Sequence, residues 1–350
     1  MNRSFKQRIA AVLLILALFL GGCELVPLRR SDIPEAIPLT PDPPVEDAAS
    51  EPETVPHTGH STVRVGGADP DPASDRVYPD FPSSVLLLSG QAFVYDVEQG
   101  GIVAMKGKDD LLYPASVTKL LTILTALQYL SPDQLVVPGD ELSLVEWDST
   151  VAYISAGHIV SVEALVEGML LPSGGDAAYV LSAAAGRKIA GEDPYCAASG
   201  GLTGPEAVEL FVCAMNDYAD SIFMRHSHFV TPDGYFDQNH YSSISDMTRL
   251  TIAAYDCELI RRYCGVLTDS VTYASGQSIR WENTNKMLDP DSGWYSPYVK
   301  GMKTGSITNA NSLVAIFEKD GKTYLVGVFS APDDDSRYQD MTAILNWLFK

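Results

Sequence analysis

Apolar positions change their rhythm several times along this chain. From residue 85 they come in short runs, 85–88, 92–97 and 102–105, with Glu98-Gln99-Gly100-Gly101 as a turn between the last two. Such runs predict strands, the last two joined as a hairpin. Residues 106–110 form a polar loop. Behind Pro114, which discourages helix before it, the apolar residues of 120–130 recur at helical spacing. Residues 131–157 are mixed and turn-rich. Ser161 then reads as an N-cap for a helix over 162–171, with Glu163 in the first turn where the helix dipole favours it. Pro172-Ser173-Gly174-Gly175-Asp176 ends that helix, and an alanine-rich helix follows over 177–190.

Pro205 suits the first turn of a helix over 206–218. Thr231-Pro232-Asp233-Gly234 is a strong turn signal inside a loop over 226–240. Ser243-Ile244-Ser245-Asp246 resembles a capping box, with Asp in place of the usual Glu or Gln, opening a helix to about residue 264. Strand pattern returns at 299–304, 312–319 and 323–330, where Asp320-Gly321 joins the last two as a hairpin, and a helix over 336–349 closes the chain. Strands at both ends with helices between them predict an α+β fold. One antiparallel sheet is built from both chain ends, and a helical subdomain packs on it.

The amino-terminal stretch follows another pattern. Arg3, Lys6 and Arg8 precede an uninterrupted apolar run over 9–20, the layout of a secretory signal. The run is short for a membrane-spanning helix, which needs about 20 residues. It ends in Leu20-Gly21-Gly22-Cys23, which resembles the lipobox of bacterial lipoproteins and implies a lipidated Cys23 as the mature N-terminus. An ordinary secretory signal or an uncleaved anchor is the alternative. Either way, the rest of the chain is expected outside the cytoplasm. Residues 23–82 are proline-rich, carry acidic clusters and lack apolar periodicity, so they are expected to form an extended, disordered linker. The folded, catalytic domain is expected over 83–350.

Apolar residues make up 46% of the chain, enough for a core, and the formal net charge of −21 argues against nucleic acid as a partner. The candidate chemistry begins at Pro114-Ala115-Ser116-Val117-Thr118-Lys119. On a helix, positions three apart share a face, so the Ser116 hydroxyl and Lys119 amine can meet. A serine becomes a competent nucleophile when a neighbouring base takes its proton, and a buried lysine with a lowered pKa can do that. Ser173 lies in a tight loop between two helices, and Lys303-Thr304-Gly305-Ser306 lies on a predicted strand. Each of these residues also has an ordinary structural explanation when taken singly.

Ser-x-x-Lys, a Ser-Gly-x loop and Lys-Thr-Gly, in that order, resemble the signature of penicillin-binding proteins and serine β-lactamases. Leu170-Leu171-Pro172-Ser173-Gly174-Gly175-Asp176-Ala177-Ala178, His228-Phe229-Val230-Thr231-Pro232-Asp233-Gly234, His240-Tyr241-Ser242-Ser243 and Asn283-Thr284-Asn285 narrow the likeness. They resemble the low-molecular-weight D-alanyl-D-alanine carboxypeptidases, serine peptidases of family S11. The resemblance runs from about residue 84 to the end and implies a β-lactamase/transpeptidase-like fold.

It implies roles as well. Ser116 would attack a terminal D-alanyl-D-alanine of a peptidoglycan stem peptide and form an acyl-enzyme, with Lys119 taking its proton. Ser173 would relay a proton to the leaving amine, and Lys303 would position Ser173 and supply positive potential. Thr304 and Ser306 would hold the terminal carboxylate, Gly305 would let the substrate backbone lie along the strand, and the amides of Ser116 and Ser306 would form the oxyanion hole. β-Lactams would acylate the same serine. No cofactor and no metal are implied; His226-Ser227-His228 is a compact pair with no further ligand signal.

The family also often carries a second β-rich domain and a C-terminal amphipathic anchor. This chain is expected to lack both, with lipid at Cys23 anchoring it to a bacterial membrane. One departure stands out: the family usually has Asn where this chain has Gly175, so water or a neighbour such as Asp176 would have to substitute. A secreted β-lactamase is one alternative, although no Glu-x-x-Leu-Asn stretch follows Ser173. A degenerate peptidoglycan-binding homologue is another, supported by Gly175. Of the remaining cysteines, Cys257 and Cys264 lie too far apart to bridge on one continuous helix, about 10.5 Å of rise. Cys196 and Cys213 would pair across a loop or stay free.

Overall fold

The computed structural model describes residues 78–108, 110–195 and 201–350, all within one structural unit, Ser61–Lys350. The signal segment, Cys23, the linker up to residue 77 and Cys196 lie outside the described residues.

Gln91–Asp96 (β1) and Gly101–Lys106 (β2) form the predicted hairpin. After the short strand Leu111–Leu112 (β3) and a 3-10 turn at Ala115–Val117, the first helix among the described residues is Thr118–Ala126 (α1). The apolar run to Leu130 outlasts the helix, and residues 127–130 close it in turns. Leu135–Val136 (β4) pairs with Val160–Ser161 (β5). Ser161 caps Val162–Leu170 (α2) by accepting from the Ala164 amide, as expected. Gly175–Ile189 (α3) and Gly204–Ser221 (α4) follow. Beyond Pro205, α4 has a full reciprocal capping box between Thr203 and Glu206 that the sequence reading passed over.

Ser242–Ser243 (β6) leads into Ile244–Asp256 (α5), and Glu258–Cys264 (α6) is a separate helix. The expected single helix to residue 264 therefore breaks. Cys257 adopts an extended conformation, and the Tyr255 carbonyl accepts from the Arg261 guanidinium. Cys213, Cys257 and Cys264 are all free. The capping box at 243–246 is half made. Ser243 accepts from the Asp246 amide, but the Asp246 carboxylate binds the His226 amide and the Ser227 hydroxyl. Thr268–Thr272 (β7) and Ser278–Glu282 (β8) form a hairpin missed by the sequence reading, because polar residues fill most of both strands. Val299–Ile307 (β9), Ala310–Lys319 (β10), Lys322–Ala331 (β11) and Asp334–Leu348 (α7) complete the chain.

The central sheet has the order β2-β1-β11-β10-β9, antiparallel throughout. Both faces are buried, so side chains divide by alternation. Ala92, Val94, Leu313, Ala315 and Phe317 pack with Tyr338, Met341 and Ile344 of α7. Phe93, Tyr95, Val314 and Ile316 pack against the helices on the other side. Gly327 makes room for this arrangement: a Cβ there would lie 2.2 Å from the Phe93 ring.

Residues 85–88 are not a strand. The amides of Leu88 and Ser89 donate to the Asp340 carboxylate of α7 (2.9 and 2.7 Å), which ties the segment to a helix and leaves Leu86 83% exposed.

Candidate active site

The far ends of the sheet and the helical subdomain meet at a cleft of about 910 Å³. Ser116, Lys119, Ser173, Thr304, Gly305, Ser306 and Arg337 are among the residues that line it. Ser116 sits in the 3-10 turn, one residue ahead of which Ala115 holds φ +50°. Ser173 itself holds φ +64°. Left-handed backbone at non-glycine residues is costly and tends to gather where function fixes the geometry.

Lys119 lies one turn into the helical stretch. Its Nζ donates to Ser116 Oγ at 2.9 Å and to the Asp233 carbonyl at 2.8 Å. On β9, Lys303 Nζ donates to Ser173 Oγ at 2.8 Å and to the Thr304 carbonyl at 3.0 Å. Both lysines are buried. Burial pulls the Lys119 amine down to about 8, against the opposing pull of the Asp233 and Asp176 carboxylates. Lys303 is driven well below the ordinary lysine range by burial, then by the charges of Lys119 and Arg337. An amine lowered in this way holds a proton weakly enough to exchange it with a serine near neutral pH.

Close backbone approach sets the cleft's floor. A Cβ on Gly305 would lie 2.9 Å from the Pro114 carbonyl and 3.3 Å from the Ser116 amide, so β9 packs directly on the turn that carries Ser116. A Cβ on Gly234, φ +79°, would lie 1.9 Å from the Ala115 carbonyl. The loop bearing Gly234 is pinned to α1. The neutral His240 ring, whose pKa burial lowers to about 4, bonds Thr118 Oγ1 at 2.9 Å, and Thr122 Oγ1 donates to the Pro232 carbonyl.

Sequence reasoning missed Arg337, which is 5% exposed. Its guanidinium donates to the Gly305 carbonyl at 2.9 Å and to Ser306 Oγ at 3.0 Å, and brings a cation to the Thr304–Ser306 end of the cleft. A lone arginine after three aspartates, Asp333 to Asp335, was the available signal. Thr284, from the Asn-Thr-Asn stretch, shares a 2.6 Å hydrogen bond with Thr304. The Asp176 carboxylate is committed to backbone amides. It accepts from those of Ala152, Ile154 and Ala177, and it serves as an anchor for the 150–154 segment.

Two hydroxyl–amine pairs, one on the 3-10 turn and α1 and one between the 172–174 loop and the edge strand β9, define a serine acyl-transfer site of the penicillin-binding class. Among solved structures, a Streptomyces DD-transpeptidase aligns with TM-score 0.65 and 26% identity, over 75% of this chain and 98% of that one. The family model for D-alanyl-D-alanine carboxypeptidase matches residues 82–332, and the chain belongs to that family. Named relatives include the D-alanyl-D-alanine carboxypeptidase DacF of Bacillus subtilis, 24% identical over 74% of this chain and 61% of that protein. A Streptomyces D-alanyl-D-alanine carboxypeptidase is 28% identical over 71% and 83% respectively. The chain thus spans less than two thirds of the Bacillus relative's length. These comparisons favour the carboxypeptidase reading over the β-lactamase one.

Proposed function

We propose that this protein is a serine D-alanyl-D-alanine carboxypeptidase that trims the terminal D-alanine from peptidoglycan stem pentapeptides. One observation carries the reading: Lys119–Ser116 and Lys303–Ser173, drawn from three separate segments, each lie at hydrogen-bond distance, and Ser116, Lys119 and Ser173 line a single cleft. Lys119 in its neutral form takes the Ser116 proton as Oγ attacks the penultimate carbonyl. The amides of Ser116 and Ser306 stabilise the oxyanion, a role supported by the tight seating of β9 on the serine's turn. Ser173, held by Lys303, relays the proton that Lys119 took from Ser116 to the leaving amine as the C–N bond breaks, so that free D-alanine departs and the lysine is neutral again. Thr304, Ser306 and Arg337 receive the terminal carboxylate. Water then attacks the acyl-enzyme and releases the shortened peptide. β-Lactams acylate Ser116 by the same steps and, with the hydrolytic step slow, remain bound.

The reading extends to the whole chain: residues 1–22 a lipoprotein signal, 23–82 a tether from lipidated Cys23, and 83–350 the catalytic domain working outside the cytoplasm. In support, the signal and lipobox pattern stands at 1–23.

The test is direct. Wild type should release D-alanine from a stem pentapeptide and gain one penicillin mass at Ser116, and Ser116→Ala should do neither. D-alanine release that survives Ser116→Ala overturns the mechanism, and rapid penicillin turnover would favour the β-lactamase. Cys23→Ala should move the protein from the membrane fraction to the soluble one.

A further inference from the structure

Gly175 opens α3 beside the reacting lysine and brings no side chain to the cleft wall. The space its side chain would fill is not empty. A Cβ built on Gly175 would lie 3.1 Å from Asp233 Oδ2, tighter than ordinary van der Waals contact. Asp233 comes from a different segment, is 4% exposed, and lines the cleft. Its Oδ1 is committed, accepting from the Tyr235 amide at 3.0 Å. Its backbone carbonyl accepts from Lys119 Nζ. The carboxylate is thus fixed by its own turn, with its second oxygen directed at the space over Gly175.

We propose that Asp233 is the positioning residue for Lys119, and that its carboxylate occupies the place that a side chain at residue 175 would otherwise take. The proposal rests on Ser116 and Lys119 being nucleophile and base. Residues 175 and 233 form one unit in which a side chain fits from one side only. The Asp233 backbone carbonyl holds the lysine toward Ser116, and the carboxylate beside it supplies a negative charge that opposes the loss of the buried amine's proton. The charged and titratable groups facing Lys119 are Asp233 and His240 from the 231–240 loop, Asp176 from α3 and Lys303 from β9. Asp176 is tied to three backbone amides, and His240 is neutral near pH 7. Asp233 is therefore the anion best placed to act on the amine.

A structural explanation is that Asp233 merely closes its turn. Asp233→Asn separates the two, because an asparagine oxygen still accepts from the Tyr235 amide while the charge is gone. NMR titration of side-chain-labelled lysine should place the Lys119 midpoint near 8 in wild type and lower by one unit or more in Asp233→Asn. The acid limb of penicillin acylation should move by the same amount. An unmoved lysine midpoint overturns the proposal.

The shared space gives a second test. Asp233→Gly should slow acylation at least tenfold, and adding Gly175→Asn to it should recover most of the loss, whereas Gly175→Asn alone should bring no gain. A double variant no faster than Asp233→Gly alone overturns the shared-space claim. The titration reads the lysine whether or not the protein releases D-alanine, so failure of the proposed function and failure of this inference are distinguishable.

Discussion

Arg187 of α3 and Glu141 meet at 3.3 Å with both side chains at 0% exposure. Lys119 and Lys303 are almost as deeply buried (each 1% exposed), yet neither makes a salt bridge. Each rests on a serine hydroxyl and a backbone carbonyl. In the first region opposite charges cancel where water is excluded, so the pair is inert and serves the fold. In the second, two amines are buried without a paired anion, so desolvation weakens the hold of both on a proton, and the charges of Lys119 and Arg337 weaken that of Lys303 further. The same burial that makes one pair structural makes the other reactive. The comparison teaches that depth alone does not mark function in this protein; the sign and the partner do.

Substitution should separate the two regions. Lys119→Met should cost activity and spare stability: penicillin acylation falls by about 10²–10⁴-fold, measured by stopped flow. Stability should hold or rise. The folded-state pKa of this lysine lies below its unfolded value, so the unfolded chain binds more protons between about pH 8 and the ordinary lysine range. Wild-type stability therefore increases with pH across that window, and the variant lacks this dependence. Arg187→Met should do the reverse, losing about 3–5 kcal/mol in urea unfolding with acylation per folded molecule unchanged. Adding Glu141→Leu should recover much of that loss. If Arg187→Met abolished acylation in fully folded protein, the division would be wrong.

A milder probe is pH. With the neutral amine as the base of the proposed mechanism, the acylation rate of wild type should rise about tenfold per unit up to a midpoint near 8 and level off above it. A midpoint in the ordinary lysine range would mean that burial does not tune the base. The smallest effect lies outside both regions: Ser161→Ala removes the cap of α2 and should lower stability by about 1 kcal/mol without touching acylation.

Much of this was legible from residue order. The hairpin of β1 and β2 and the trio β9 to β11 follow from short apolar runs with glycine turns, and the Ser116–Lys119 contact follows from their spacing. What escaped depends on contacts between distant segments. The run at 85–88 has strand composition, but Asp340 takes its amides. The helix expected to residue 264 breaks where the Arg261 guanidinium takes a carbonyl, an event no periodicity records. Asp176 was the neighbour expected to stand in beside Gly175, yet its carboxylate turns toward residues 152 and 154, and an aspartate from a distant loop, Asp233, lies there. Arg337 carries no motif of its own, and its role shows only where the helix Asp334–Leu348 meets β9 and the guanidinium donates to the Gly305 carbonyl.

The strand order has a consequence for how the molecule is made. β1, near the start of the described chain, finds its long-range partner in β11, close to the end, with Phe93 opposite Gly327. A growing polypeptide can wind its helices as they appear, but it cannot close the central sheet until residue 331 is available. Such remote pairing is slow. Ser116 and Lys119 are synthesised long before Lys303, so the Lys303–Ser173 pair, and with it the far wall of the cleft, forms only when the final strands dock.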